Sequence, residues 1–555
     1  MNKFFVTKET NTFSDSIECL GLASILDGFF EKIDKINKPE ILIENKGFYY
    51  QISTSKDITE EEINKCNYFD FIPFIANKKC NKEDLDFYYI DYERQKNIRE
   101  KFYELKPKER KKSDNPPHPQ YDVIRMFANM PGYQKSFYNC RAWKNNFPEF
   151  LNYIFTFYSV LDRDEELFVN NLKTITKNQK MKISKINALQ DINPDKGKGA
   201  NQSKADGINP KGQNAFWLKQ LIRFTGSWDS FVSRYFDKDI KTYSIVPQKI
   251  SKEYSKNVYN QIKKYVVGKD SIKMDILMLH LATIELIRHN PKFESEWDFR
   301  LPDDKISGFQ FAYYKNLGHR PAVTNIGFLG LPQFIEFENE EEAKDWIDFW
   351  DEHKELISKI DEGNSSNIEI LQQYRQFLSG SDFMAFFNFQ FEYATILMSD
   401  LNKKSGDNNK QYLKSFTTKK MEVLMKTQNS YQKILSNAGF QAIASAIRNS
   451  TIIPIFHKKK KDVIFGLNQK LKIASRNNDY LTTEISNFIQ HYNETIMLKD
   501  YHEELHKKYV TTEELSEFYK LLDEEKSPKL IAGMLVAYGY AREPKKDENK
   551  EKQDD

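Results

Sequence analysis

The sequence predicts an α+β protein: an N-terminal mixed α/β domain with long loops over residues 1–360, followed by an all-α helical bundle over 361–542. Three observations predict it. Short β-rich runs, separated by turn signals and helical stretches, are confined to roughly the first 340 residues. Beyond residue 367 nearly every segment repeats its apolar residues at i, i+3 and i+4. Within the first region, residues 191–214 hold glycines, lysines and prolines with almost no apolar side chain, which demands an exposed loop.

In order, FFV at 4–6 reads as a short strand. Ser14 or Asp15 is positioned to cap a helix carrying Ile17, Leu20, Ile25, Leu26, Phe29 and Ile33. EILIENKGFYYQIS reads as a hairpin turning at Asn45-Lys46-Gly47, and YFDFIPFI (68–75) and DFYYIDY (86–92) as further strands. The basic, proline-broken stretch 106–119 is a connector. Helix is expected from Tyr121 and again over 149–189, and strand at KTYSIVP (241–247) and GFQFAYY (308–314). A helix at 340–360 precedes a small polar linker, 361–367. In the bundle, Tyr431, Ile434, Leu435, Ala438, Ala442, Ile443 and Ile447 form one apolar stripe. Residues 543–555 are expected to be a disordered charged tail.

The 555 residues are 39% hydrophobic and 14% aromatic, enough for two or three domains with real cores, so wholesale disorder is excluded. The opening MNKFFVTKETNTF turns polar at once, so no cleavable signal is expected, and no run has the length of a membrane span. Cys19, Cys66, Cys80 and Cys140 lack metal or redox spacing and read as core thiols of a cytoplasmic protein.

The net charge of +3 is unevenly spread. Residues 173–223 hold 11 Lys/Arg against 3 Asp/Glu, and residues 401–476 hold 16 against 3, leaving −18 on the remainder. Two basic segments on an otherwise acidic chain suit a polyanionic partner, although a charge run is also what a solvated face looks like.

In the first segment, Lys196, Lys198, Lys204 and Lys211 alternate with glycines and are joined by Asn201 and Gln202. Glycines let backbone N–H groups approach phosphates, and lysines supply counter-charge. The loop is not a nucleotide-binding P-loop, since Gln213 and Asn214 stand where Lys and Ser/Thr are required. In the second segment acidic partners at helical i+4 spacing are nearly absent around Arg448, Lys458, Lys459, Lys460, Lys461, Lys470, Lys472 and Arg476, so the set resembles a backbone-tracking patch. Trp143, Phe216, Trp217 and Trp228 are either base-stacking or core residues. His502-Glu503-Glu504-Leu505-His506 matches the zinc-peptidase pattern, but its flanks are charged where a zincin helix is apolar.

The run INPDKGKGANQSKADGINPKGQNAFWLKQLIRFTGSWDSF with the following DKDIKTYSIVP resembles the central signature of the Cas-eight large subunit of type I CRISPR surveillance complexes (Cascade). AIASAIRNSTIIP, IFGLNQKLKIASRN, EFYKLLDEE and LIAGMLVAYGYAR resemble the same family's C-terminal bundle, in the same order. The first 120 residues resemble it least. The resemblance implies a non-catalytic subunit, without cofactor or metal, that joins guide-RNA-bearing backbone subunits. It implies recognition of the motif (PAM) flanking the target in double-stranded DNA, stabilisation of the R-loop and recruitment of a helicase-nuclease. On it, Lys196, Lys198, Asn201 and Lys204 contact flanking duplex or displaced strand. Arg448, Lys458 to Lys461, Lys470 and Arg476 guide single-stranded DNA. The rival classes are a stand-alone nucleic-acid-binding or scaffold protein and a zinc peptidase.

Overall fold

Helix α1 (Phe13–Ile33) is covered around most of its circumference: Ile17, Leu20, Leu22, Ile25, Leu26 and Phe29 are buried, and so are the polar Asp15 and Glu18. A computed structural model describes residues 1–110, 112–196, 215–236, 238–265, 271–288, 302–316, 321–402, 413–456, 463–498 and 508–544. The protein is α+β. Its chain forms two units, one of Met1–Lys269 with Asp303–Leu331, the other of Asp270–Pro302 with Pro332–Asp555.

The first unit opens with β1 (Lys3–Thr7), α1, β2 (Ile41–Asn45), β3 (Tyr49–Thr54), α2 (Glu60–Lys65), β4 (Phe74–Ala76) and β5 (Tyr89–Asp91). Helices follow: α3 (Tyr92–Glu104), α4 (Pro107–Arg110), α5 (Tyr121–Ala128), α6 (Pro131–Arg141), α7 (Phe147–Ser159), α8 (Glu165–Asn178) and α9 (Trp217–Ser230). Then come β6 (Val232–Phe236), β7 (Asp239–Pro247), β8 (Lys249–Ser251) and α10 (Lys252–Tyr265). After α11 (Ser271–Arg288) and α12 (Pro302–Lys305), β9 (Ile306–Asn316) and β10 (Pro321–Gly330) close this unit.

Two antiparallel sheets result, ordered β1-β3-β2-β8 and β10-β9-β7-β6, with β4 and β5 forming a small parallel pair. α1 packs against strands of both large sheets and along α9. Its N-cap is Thr12, which accepts from the Ser14 N–H, rather than Ser14 or Asp15. The Asp15 carboxylate instead accepts from the backbone N–H groups of Thr10 and Asn11, at 3.1 and 2.8 Å. The expected hairpin is β2–β3, with Gly47 at φ +83° in its turn. Of the 68–75 run only Phe74 and Ile75 are strand, at the start of β4, and the 149–189 helix is two helices, α7 and α8, followed by irregular chain.

The second unit contains α11 and then α13 (Glu340–Ser358), α14 (Ser365–Gly380), α15 (Phe383–Asn402), α16 (Thr418–Met425), α17 (Asn429–Ser436) and α18 (Ala438–Ser450). It ends with α19 (Ile452–Phe456), α20 (Leu467–Ala474), α21 (Asn478–Leu498), α22 (Thr512–Glu525) and α23 (Pro528–Gly539). The expected boundary at 361 is corrected here. α13 packs on α11 and α16, so it belongs to this unit, as does α11, which had not been anticipated.

The supposed linker is a structural turn. Asn364 caps α14, and the Glu362 carboxylate accepts from the N–H groups of Ser271, Ile272 and Lys273 at 3.0, 2.9 and 2.9 Å, capping α11 from across the unit. The expected single stripe over 431–447 is broken into α17 and α18, because Asn437 ends one helix and caps the next.

At the centre of this unit Tyr374 links two buried histidines. His280 Nε2 and His353 Nδ1 each lie 2.8 Å from its hydroxyl, among Phe349, Trp350, Phe386, Phe389 and Phe416. Among the described residues no helix is long and apolar enough to cross a membrane.

Candidate nucleic-acid interface

The chain that leads to the 191–214 loop is fastened by a buried polar network. Asn193, fully buried, donates to the Leu189 carbonyl at 2.9 Å and to Gln220 Oε1 at 2.8 Å. Its own carbonyl oxygen accepts from Arg223 and from Gln220. Arg223 continues to Glu18 of α1 (Nε to Oε2, 2.9 Å), and Tyr158 donates to the other Glu18 oxygen at 3.0 Å.

Burial opposes the Arg223 charge, but the Glu18 carboxylate outweighs it and holds the guanidinium pKa above its ordinary value. Ser14 donates to the Ile192 carbonyl at 2.9 Å, and Tyr314 to the carbonyls of Gln190 and Asp191, both at 3.2 Å. The approach to the loop is therefore held by α1, α9 and β9 together. Lys196 lies in the last described turn before the loop, with Nζ 3.0 Å from Asp195. Lys198, Asn201, Gln202, Lys204 and Lys211 lie outside the described residues.

Not every cation of 173–223 is available to a ligand. Lys219 is buried between Glu9 and Glu165, 2.8 Å from each, and Arg223 is held by Glu18. Lys173, Lys177, Lys180, Lys182 and Lys185 behave differently. They run from the last turns of α8 along the chain towards the loop, all exposed and none paired with a carboxylate among the described residues. In the sequence they are marked only by the net charge of the segment. Their spacing mixes a helical step with irregular chain, so no periodicity singles them out.

The second basic segment is thinner than its sequence suggests. Carboxylates absent at i+4 are supplied by other helices. Lys414 pairs with Glu355 at 3.0 Å, Lys433 with Glu524 and Glu525 at 3.0 Å, Lys472 with Glu392, and Lys470 lies 3.8 Å from Glu484. Arg448 is corrected outright. Its guanidinium is buried, donating to the carbonyls of Ala541 (2.8 Å) and Tyr538 (3.0 Å) and to Glu543 (2.6 Å), so it closes the C-terminal end of α23 and is not free to meet DNA. Glu543, expected in a disordered tail, is thereby engaged.

Lys470 and Arg476 remain exposed on and just after α20. Phe465, Ile473 and Tyr480 stand exposed near them, with Tyr480 at 62%. Lys458, Lys459, Lys460, Lys461 and the His502–His506 motif lie outside the described residues.

The aromatics first considered for stacking are packed inward. Trp143 is buried on Phe150 with ring centroids 4.9 Å apart, Trp217 lies 5.9 Å from the same ring, and Phe216 packs on Phe157. Trp228 lies beside His118. The four cysteines are free thiols. Burial raises Cys66 to about 11 and Cys140 to about 12, away from nucleophilic use. Among the described residues no group of three His, Cys, Asp or Glu side chains is arranged to hold a metal ion. No protein-family model matches the chain, and no curated protein matches it.

Proposed function

We propose that the chain is the non-catalytic large subunit of a type I CRISPR surveillance complex, acting in the cytoplasm in antiviral defence. In this reading it joins guide-RNA-bearing backbone subunits and binds target double-stranded DNA. It reads the flanking motif, holds the displaced strand and recruits a helicase-nuclease. The family assignment comes from the order of the signature segments.

The observation that carries the nucleic-acid part is the strip of exposed, carboxylate-free lysines from Lys173 to Lys185 leading into a firmly anchored loop base. Exposed lysines leading to a fastened base suit a phosphate backbone, because their charges are free of carboxylates while the chain that carries them is anchored at Asn193. The signature positions Asn193, Gln220 and Arg223 have a physical role in this reading, since they lock the approach to the loop onto α1.

Co-expression with backbone subunits and a guide RNA tests the proposal. The chain should copurify in an RNA-bearing complex that binds duplex target. If 6–10 phosphates are contacted, affinity should fall by about 10³–10⁵ between roughly 50 and 200 mM salt. Failure to copurify removes the subunit reading, and flat salt dependence removes the electrostatic one.

A further inference from the structure

We infer that a cleft along α3, in the first unit, binds single-stranded nucleic acid, seating one base on Ile98 and Phe102 between phosphates held by Arg94 and Lys101. The cleft encloses about 550 Å³ between one face of α3, the β5 end and the chain after α4. α3 buries none of its side chains fully, although Ile98 and Phe102 fall on one stripe. Those two half-covered residues, with Leu105, form the apolar floor of the cleft.

Arg94 and Lys101 bracket that floor. They stand seven residues apart, roughly 10 Å along the helix axis, and share a face. Neither is paired with a carboxylate among the described residues. The third cation, Lys82, is held by Asp91 at 2.7 Å, and Asp91 also caps α3, so that pair is internally satisfied. Glu93 is the remaining carboxylate in the lining, leaving the cleft with a net positive charge.

The opposite wall is built rather than incidental. Arg110 donates to the carbonyls of Leu105 (2.8 Å) and Tyr103 (2.6 Å) and lies over the Tyr103 ring, folding the connector back so that Ser113 and Asn115 line the cleft. Their hydroxyl and amide are hydrogen-bonding groups suited to a base edge. An apolar floor with cations at both ends and polar groups opposite fits a base flanked by phosphates. A duplex, whose bases are stacked inside, cannot present one to that floor.

The inference does not depend on membership of a guide complex, and its test uses the free full-length chain. A strand of about ten nucleotides carrying 5-iodouracil is irradiated with the protein, and the adducts are mapped by peptide digestion. The expected adduct lies in the 92–105 peptide, and Phe102→Ala should lower its yield about tenfold. Arg94→Ala with Lys101→Ala should make the slope of log affinity against log salt shallower by about 1.4, two contacts at about 0.7 each. None of the three side chains is buried, so unchanged melting verifies the fold of each variant. Adducts confined to other peptides, no adduct at all, or an unaltered slope overturns the cleft assignment. If the other adducts fall on the 173–214 or 458–476 peptides, the proposed subunit function stands without it.

Discussion

Gly21 of α1 and Gly226 of α9 meet where the two helices cross, so closely that a Cβ on Gly226 would lie 1.8 Å from the Ile17 carbonyl oxygen. A Cβ on Gly21 would lie 2.0 Å from that of Ile222. Backbone meets backbone here, and neither helix can yield without moving the polar network of Glu18 and Arg223 on the same pair. Gly226→Ala should destabilise the first unit by about 3 kcal/mol or more, read as a lowered urea midpoint. Gly380→Ala is the contrast, since nothing lies within 4 Å of its Cβ position, and it should change stability by less than about 1 kcal/mol.

Arg448→Ala should lower the stability of the helical unit by about 2–4 kcal/mol while leaving DNA affinity per folded molecule unchanged, because its donors are spent on Tyr538, Ala541 and Glu543. Lys470→Ala with Arg476→Ala should do the reverse. Paired melting and binding titrations read both outcomes, and a loss of affinity without loss of stability in Arg448→Ala would restore it as a DNA contact.

The histidine pair predicts acid sensitivity. Burial, with Lys354 adding to it, pushes His280 down to about 3, and burial, with His280 and Lys420 adding to it, pushes His353 well below its ordinary value. Tyr374 has one hydroxyl proton, so one imidazole accepts it while the other donates an N–H, and both are neutral in the fold. The unfolded chain takes up protons near pH 6.5 that the folded chain refuses. Stability is therefore intact above that pH and declines as pH falls towards about 3. His280→Gln with His353→Asn replaces the two ring nitrogens by amides, and the slope of melting temperature between pH 6 and 4 should flatten.

The two basic segments should act at different steps. Lys198→Ala with Asn201→Ala should weaken duplex binding in a way that depends on the flanking sequence, since a base contact is worth about 1–3 kcal/mol of discrimination. Alanine at Lys458 to Lys461 should weaken every target alike and be rescued more fully by a pre-opened bubble. Equal losses on all flanking sequences would make the loop one more phosphate clamp.

The sequence was most legible where the periodicity is local. α1, the β2–β3 hairpin and most helices after 368 follow from apolar spacing and turn residues. It failed where the deciding partner is distant in the chain. No pattern around Arg448 announces the carbonyls of α23, and none near Lys472 or Lys414 announces Glu392 or Glu355. The same holds for Glu362, which looks like linker chemistry until the start of α11 is placed against it. Charge counts located a basic region correctly in sum, yet they could not separate the exposed Lys173–Lys185 strip from the buried Lys219 and Arg223.

The order in which the two units share the chain bears on synthesis. The ribosome delivers α11 before the β9–β10 hairpin, so the first unit is incomplete until residue 331 has emerged, while a helix destined for the other unit is already outside. A shorter product initiated downstream of residue 331 would have α13 and α14 but no His280 to meet Tyr374, and no α11 to cover Trp350. Translated alone, the C-terminal helices would form with an unfilled groove along that seam, so a helical half made by itself needs either the earlier start or a borrowed helix.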